Sequence, residues 1–251
     1  MENCKTTTSP MDCSVKLSEL KNEKDINEKR FPYREAVRSL NYIALISRPD
    51  ISYAVNTLAR FLNNPSDLHW KAVKHVIRYL KGTIGLLLCY NGKTEEGLVG
   101  YCDSDYAGDV TERKSTSGYI FTLHGGPIAW SSSLQRVTAL SSSEAEYMAI
   151  SEALKELLWL RPLLESLGLK QTRETELKVD NQAAIAMSKN PELHRRTKHI
   201  GVRFHRIRQE QEAGNVTVSY IPSDKQVADL LTKSLTRTKI STYLKILKIT
   251  S

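Results

Sequence analysis

Between Phe31 and Tyr90, apolar residues return at close to the helical period. In YREAVRSLNYIALIS they fall at Val37, Leu40, Ile43, Ala44 and Ile46 before RPD breaks the run. A second helix is predicted from Ile51 to Leu62, ended by Asn63, Asn64 and Pro65. A third follows Ser66, a suitable N-cap, with Trp70, Val73, Ile77 and Leu80 as its stripe and Gly82 as its stop. After the turn-rich NGKTEEG the period changes. Leu98 to Cys102, Gly118 to Leu123 and Ile128 to Ser132 read as strands, with a GG hairpin signal between the last two. A long amphipathic helix from Ser143 to Leu167 closes at Gly168, and Leu177 to Val179 is a short buried strand. Helices are then predicted through DNQAAIAMSKN, from His194 to Ala213, and from Lys225 to Leu235, with a fifth strand at Val216 to Ile221. This order predicts an α/β fold, a mixed five-stranded sheet with helices on both faces, preceded by a small helical subdomain.

Organisation follows from the same pattern. Residues 1–30 carry few large apolar groups to offset the entropy of ordering, so an extended or mobile arm is expected there. The helical subdomain covers 31–93, the α/β domain 96–240, and 241–251 is expected to be a tail. Apolar stretches are short and interrupted by Lys, Arg or Glu, and MENCKTTTSPMDC lacks the core of a secretory signal. The expectation is an intracellular protein without a membrane partner, in the cytoplasm or nucleus and not secreted. Cys4, Cys13, Cys89 and Cys102 are too scattered for a disulfide framework and form no CxxC pair, so they read as reduced thiols. Lys and Arg total 36 against 28 Asp and Glu, a net charge of +8 that favours a polyanionic partner.

Candidate chemistry lies in carboxylates set far apart along the chain: Asp103 after an apolar run, Glu146 in SSSEAEY, Asp180 in LKVDNQ and Asp229 in QVADLLTK. Acids that a fold can gather suit divalent-metal phosphodiester chemistry, because two ions roughly 4 Å apart need oxygen ligands that partly cancel their charge. Each acid also has a local reading. Asp103, Asp105 and Asp109 could simply make an Asx-bonded turn. SSSEAEY fits a capping box in two frames, Ser141 with Glu144 or Ser143 with Glu146. Asp180 could be an N-cap, a role that Asn181 could also fill, and Asp229 suits the first turn of a helix in any case.

The order strand Asp, helix Glu, strand-end Asp, helix Asp resembles ribonuclease H. More narrowly, YCDSDYAGD, RKSTSGYIF, SSSEAEYMA, DNQAAI, HRRTKHI and VADLLTKSL resemble the C-terminal ribonuclease H domain of Ty1/copia-type retrotransposon polyproteins, over about Gly97 to Leu235. RPDISYAVNTLARF and HWKAVKHVIRYLKGT are similar to the copia-type connection that precedes it. The resemblance implies a ribonuclease H-like fold and a nuclease that hydrolyses the RNA strand of RNA/DNA hybrids during reverse transcription. It implies two Mg²⁺ ions, replaceable by Mn²⁺, held by Asp103, Glu146, Asp180 and Asp229, which would also be the catalytic residues. The motif selects Asp103 over Asp105 and Glu146 over Glu144. It also implies a reverse transcriptase polymerase domain of the parent polyprotein as partner and a virus-like particle as the cytoplasmic setting. No YxDD turn occurs in this chain, so no polymerase site is expected, and VSYIPSDKQVAD lacks the histidine that many such nucleases place before the last aspartate. A competing expectation is an inactive retroelement remnant that still binds nucleic acid.

Expected substrate contacts follow the basic charge. The helix from His194 carries Arg195, Arg196 and Lys198 for phosphates, or a solvated face balanced by Glu210 and Glu212. Its histidines do not share a face suited to zinc. Arg113 and Lys114 lie in a loop after Asp109 that is also rich in hydroxyls, and Ser143, Asn181 and Gln182 adjoin the acids. Trp130 and Trp159 fall in apolar patterns and are expected in the core.

Overall fold

Helices α1 (Tyr33–Ile46), α2 (Ser52–Ala59) and α3 (Asp67–Gly82) form where the stripes predict them, with a 3-10 turn at Pro49–Ile51 before α2. Ser66 caps α3, and His69 takes the acid's part in the capping box by accepting from the Ser66 N–H at 2.8 Å. Val37, Leu40, Leu58, Val73, Val76 and Tyr79 share one apolar cluster with Met11. The described part of the N-terminal segment is fastened along α3: Arg78 Nε donates to Lys5 O at 2.6 Å and Lys81 Nζ to Cys4 O at 3.0 Å. The computed structural model describes residues 1, 3–15, 17, 31–90, 92, 97–189 and 201–250.

After the two-residue strand β1 (Leu87–Leu88) come β2 (Val99–Asp105), β3 (Thr116–Leu123), β4 (Gly126–Leu134), β5 (Thr175–Val179) and β6 (Val216–Tyr220). The sheet order is β4-β3-β2-β5-β6, antiparallel over the first three strands and parallel from β2 to β6. This is the mixed five-stranded sheet that the pattern predicts, in the ribonuclease H-like form that the resemblance implies. The strand pleat sends neighbouring residues to opposite faces. Cys102 and Phe121 enter the core under α4 (Ser142–Ser166), α5 (Gln182–Lys189) and α6 (Gly201–Glu212), whereas Tyr101 and Ile120 pack on the other side. That other side is covered by a 3-10 turn at Val227–Leu231 and by α7 (Arg237–Ile246).

Several expectations change. Strands β2 to β4 run further than predicted, because polar residues such as Asp103, Ser117 and Ser133 lie inside the antiparallel ladder. The expected helix at 225–235 is a short 3-10 turn. The expected tail at 241–251 instead belongs largely to α7 and to strand β7 (Ile249–Thr250), which pairs with β1 and buries Tyr243, Leu247 and Ile249. Trp130 donates Nε1–H to Ala44 O at 2.8 Å. Trp159, expected inside, is 59% exposed, since Leu157, Leu160 and Leu164 take the inward face of α4. Cys4, Cys13, Cys89 and Cys102 are free thiols, as expected. Among the described residues no helix is long and apolar enough to cross a membrane.

Candidate active site

Strands β2 and β5 run side by side only as far as Tyr101 and Lys178. Beyond that register they part, and backbone groups on this side of β2 need partners other than the ladder. Side chains supply them. Gln226, fully buried, donates Nε2–H to Cys102 O at 2.9 Å and to Lys178 O at 3.3 Å. Glu146 Oε1 accepts from the Ser104 N–H at 3.1 Å. A crevice where strands of an open sheet diverge is the general place for ligands in such folds.

Three carboxylates enter this crevice. Asp103 comes from β2, Glu146 from one turn inside α4 and Asp180 from the end of β5, and each offers an oxygen within 4.8 Å of the other two. The local sequence explains why each is available. Ser141 caps α4 by accepting from the Glu144 N–H at 3.2 Å, and Glu144 accepts in turn from the Leu140 N–H at 2.9 Å. Ser141 therefore caps α4 as in the first frame, with Glu144 bonded one residue before the cap rather than to it, and Glu146 is left to the crevice. Asn181 Oδ1 accepts from the Ala184 N–H at 3.0 Å, so the cap of α5 does not need Asp180.

The electrostatics are unbalanced. Asp103 and Glu146 are buried and Asp180 half-buried, while among the described residues the buried Glu146 Oε2 finds no hydrogen-bond partner. Burial first, and the nearby Asp103 second, push the Glu146 carboxyl up to about 9. Clustered hard oxygens with an unsatisfied buried member are a donor set that fits a divalent ion such as Mg²⁺.

Asp229, the fourth predicted acid, lies outside this group of oxygens. It sits on the 3-10 turn, where Oδ1 is 2.9 Å from Lys233 Nζ and Oδ2 accepts from the Tyr243 hydroxyl at 3.2 Å. Lys233 Nζ is also 3.3 Å from Asp103 Oδ2, an oxygen that accepts the Thr232 hydroxyl as well. Asp229 thus joins the site through an ammonium. Burial and then Asp103 push its carboxyl up to about 6. Burial works against the Lys233 charge, but Asp103 and Asp229 outweigh it and hold that ammonium above its ordinary range. Gly118 makes the approach possible: paired opposite Asp103, it would carry a Cβ only 2.7 Å from Leu231 Cβ and 2.8 Å from Thr232 Cγ2.

The rival aspartates have other surroundings. Asp105 is outside the three-oxygen group, and Asp109 makes the expected turn, accepting from the Glu112 N–H at 2.6 Å. Arg60, just past the end of α2, lies 3.3 Å from Asp109 and donates to Thr116 Oγ1 at 3.2 Å, bracing the loop before β3. That loop carries Arg113, exposed at φ 55°, and Lys114, paired with Glu112. Ser143 lies in the first turn of α4, and Gln182, exposed, opens α5. Arg195, Arg196 and Lys198 lie outside the described residues. In α6, Ile207 is buried and Arg206 pairs with Glu210 at 2.8 Å.

No family model matches the chain. It is 45% identical over 243 residues to the retrovirus-related Pol polyprotein from transposon TNT 1-94 of Nicotiana tabacum, a match covering 95% of this chain and 18% of that polyprotein. The chain belongs to the Ty1/copia-type retrotransposon Pol family. A Pol-family chain of this size spans less than a fifth of that relative. It is also 48% identical over 132 residues to a Plasmopara viticola protein named secreted RxLR effector protein 161, covering 93% of that protein and 53% of this chain. Among solved structures, LC11-RNase H1 in complex with RNA/DNA hybrid aligns with 54% of this chain and 93% of its own, at 21% identity and a TM-score of 0.40. The fold assignment rests on strand order and not on that alignment.

Within this Pol-family site, four contributors escape sequence reasoning: Gln226, Thr232, Lys233 and Tyr243. Their positions depend on the 3-10 turn and α7 closing over β2. The available signal was local, a Thr-Lys pair one turn beyond Asp229 in VADLLTK.

Proposed function

We propose that this region of the Pol chain is a ribonuclease H, hydrolysing the RNA strand of RNA/DNA hybrids in a reaction dependent on Mg²⁺, with Mn²⁺ as a substitute. The observation that carries the reading is the convergence of Asp103, Glu146 and Asp180 at the parting of β2 and β5, with one buried oxygen left unpaired. These three would hold an ion. When bound, it would supply Lewis-acid charge compensation at the scissile phosphate and lower the pKa of water. The protein's own part is positional. Thr232 holds Asp103, the Ser104 N–H holds Glu146, and Gln226 keeps the strands at their parting. Asp229 would act in a second ion position shared with Asp103. Arg113, Lys114, Ser143, Asn181 and Gln182 would contact the hybrid backbone, as would Arg195, Arg196 and Lys198.

The division into an arm, a helical connection and a nuclease domain is proposed on the same basis, as are delivery of hybrid by the polymerase domain of the parent polyprotein and an intracellular site of action. A second reading, an inactive nucleic-acid-binding remnant, draws on the neutralisation of Asp103 and Asp229 by Lys233. One assay separates the two: labelled hybrid, duplex DNA and duplex RNA incubated with purified protein in Mg²⁺, Mn²⁺ or EDTA. Cutting confined to the RNA of the hybrid and abolished by EDTA is the expected result, because 2′-hydroxyls distinguish the cleavable strand. Retention of the hybrid without cutting in either metal would favour the remnant.

A further inference from the structure

Two pairs of acids meet in the crevice, and they differ in what neutralises them. Among the described residues, no lysine or arginine pairs with Glu146 or Asp180. Asp103 and Asp229, by contrast, are bridged by Lys233 Nζ, 3.3 Å from one and 2.9 Å from the other, while the more exposed Lys239 reaches only Asp229 Oδ2, at 3.8 Å. Its placement is built into the fold. Lys233 lies four residues beyond Asp229, and Gly118 lets the preceding Leu231 and Thr232 close against β3. The seam beside it, lined in part by Tyr53, Ala54, Leu230 and Leu235, leaves only about 10 Å³, room for hardly one water. The side chain is nevertheless 36% exposed.

We infer that Lys233 is the resident cation of the second ion position. The folded protein then takes one divalent ion, at Asp103, Glu146 and Asp180, and a second ion shared by Asp103 and Asp229 enters only by displacing the Lys233 ammonium. This rests on the nuclease reading above. A tethered group competes at an effective concentration in the millimolar range or higher, and binds without losing the translational freedom that a free ion gives up. The ammonium and an incoming ion would also share Asp103 Oδ2, where like charges repel. Lys233 would thereby make complete loading of the site depend on something that draws the ammonium away, and the phosphates of a bound nucleic acid have the charge to do it.

The test is calorimetric titration of Mn²⁺ into nucleic-acid-free wild type, Lys233→Gln, Lys233→Arg and the double variant Lys233→Gln/Asp229→Asn, with folding checked by circular dichroism. One ion per chain is expected for wild type and Lys233→Arg. Lys233→Gln is expected to take two, the second at least about tenfold tighter than any second binding to wild type. The double variant should return to one. Two ions bound by wild type with the affinities of Lys233→Gln would overturn the inference while leaving the nuclease reading intact, and wild type alone decides this if Lys233→Gln does not fold. Failure of every protein to bind any ion would overturn both.

Discussion

Buried carboxylates of the helical subdomain and of the crevice are treated in opposite ways. In the helical subdomain, Asp50 accepts from Arg48 Nε at 2.9 Å, from Arg48 Nη2 at 2.7 Å and from the Tyr79 hydroxyl at 2.7 Å. Charge and hydrogen-bonding capacity are both met within the fold. At the crevice, Lys233 pairs with Asp103 and Asp229 and Lys239 reaches Asp229 at 3.8 Å, whereas among the described residues no lysine or arginine pairs with Glu146 or Asp180, and Glu146 Oε2 has no hydrogen-bond partner. A buried charge that serves structure is paired, because an unpaired one costs several kcal/mol. A deficit of cations, held open by a capped helix and two parting strands, marks a place where the fold gives up stability to be ready for a ligand.

The contrast can be broken by removing one acid from each place. Asp50→Asn leaves the guanidinium of Arg48 buried and uncompensated, so a loss of about 3–5 kcal/mol is expected in urea unfolding. A loss below about 1 kcal/mol would remove the structural half of the comparison. A smaller effect is expected from metal. Mg²⁺ at a hundred times its dissociation constant should stabilise wild type by about 2.7 kcal/mol. Asp180→Asn should show almost none of this, and an equal gain in both proteins would place the ion elsewhere.

The smallest effect is the slope of stability with pH. Without metal, the folded protein keeps the Glu146 proton up to about 9, whereas the unfolded chain releases it above its ordinary 4.5. Its contribution is therefore greatest below about 4.5 and drains away as pH rises towards 9. Asp229, pushed from 3.8 up to about 6, adds to the same downward slope over the lower part of that range. In melts from pH 5 to pH 9, wild type should lose stability relative to Glu146→Gln, and saturating Mg²⁺ should flatten the difference. A wild type that gains on Glu146→Gln as pH rises would show that the crevice already neutralises its acids.

Much of this was legible in the sequence, and the limits have physical causes. The helical stripes of α1 and α3 and the core alternation of β3 are local patterns, readable from the residues themselves. Asp103, Glu146 and Asp180 could be proposed because their motifs resemble those of the ribonuclease H domain, which selected Asp103 and Glu146 where the local pattern left Asp105 and Glu144 open. Lys233 and Gln226 could not, since their meaning comes from a 3-10 turn meeting β2 across more than a hundred residues. Asp229 shows the boundary: its motif was recognisable, but its neutralisation by Lys233 and its bond from Tyr243 were not. The C-terminal segment was misread because α7 is short and β1 and β7 have two residues each, too few to show a period.

The most direct test pairs activity with stability in one variant, Asp180→Asn, measured for Mg²⁺-dependent cleavage of a labelled hybrid and for metal-free melting. The expected result is a fall in cleavage of at least about a thousandfold, equivalent to about 4 kcal/mol of barrier, with a melting temperature equal to or above that of wild type. Cleavage at the wild-type rate would contradict the assignment of these carboxylates to the chemistry.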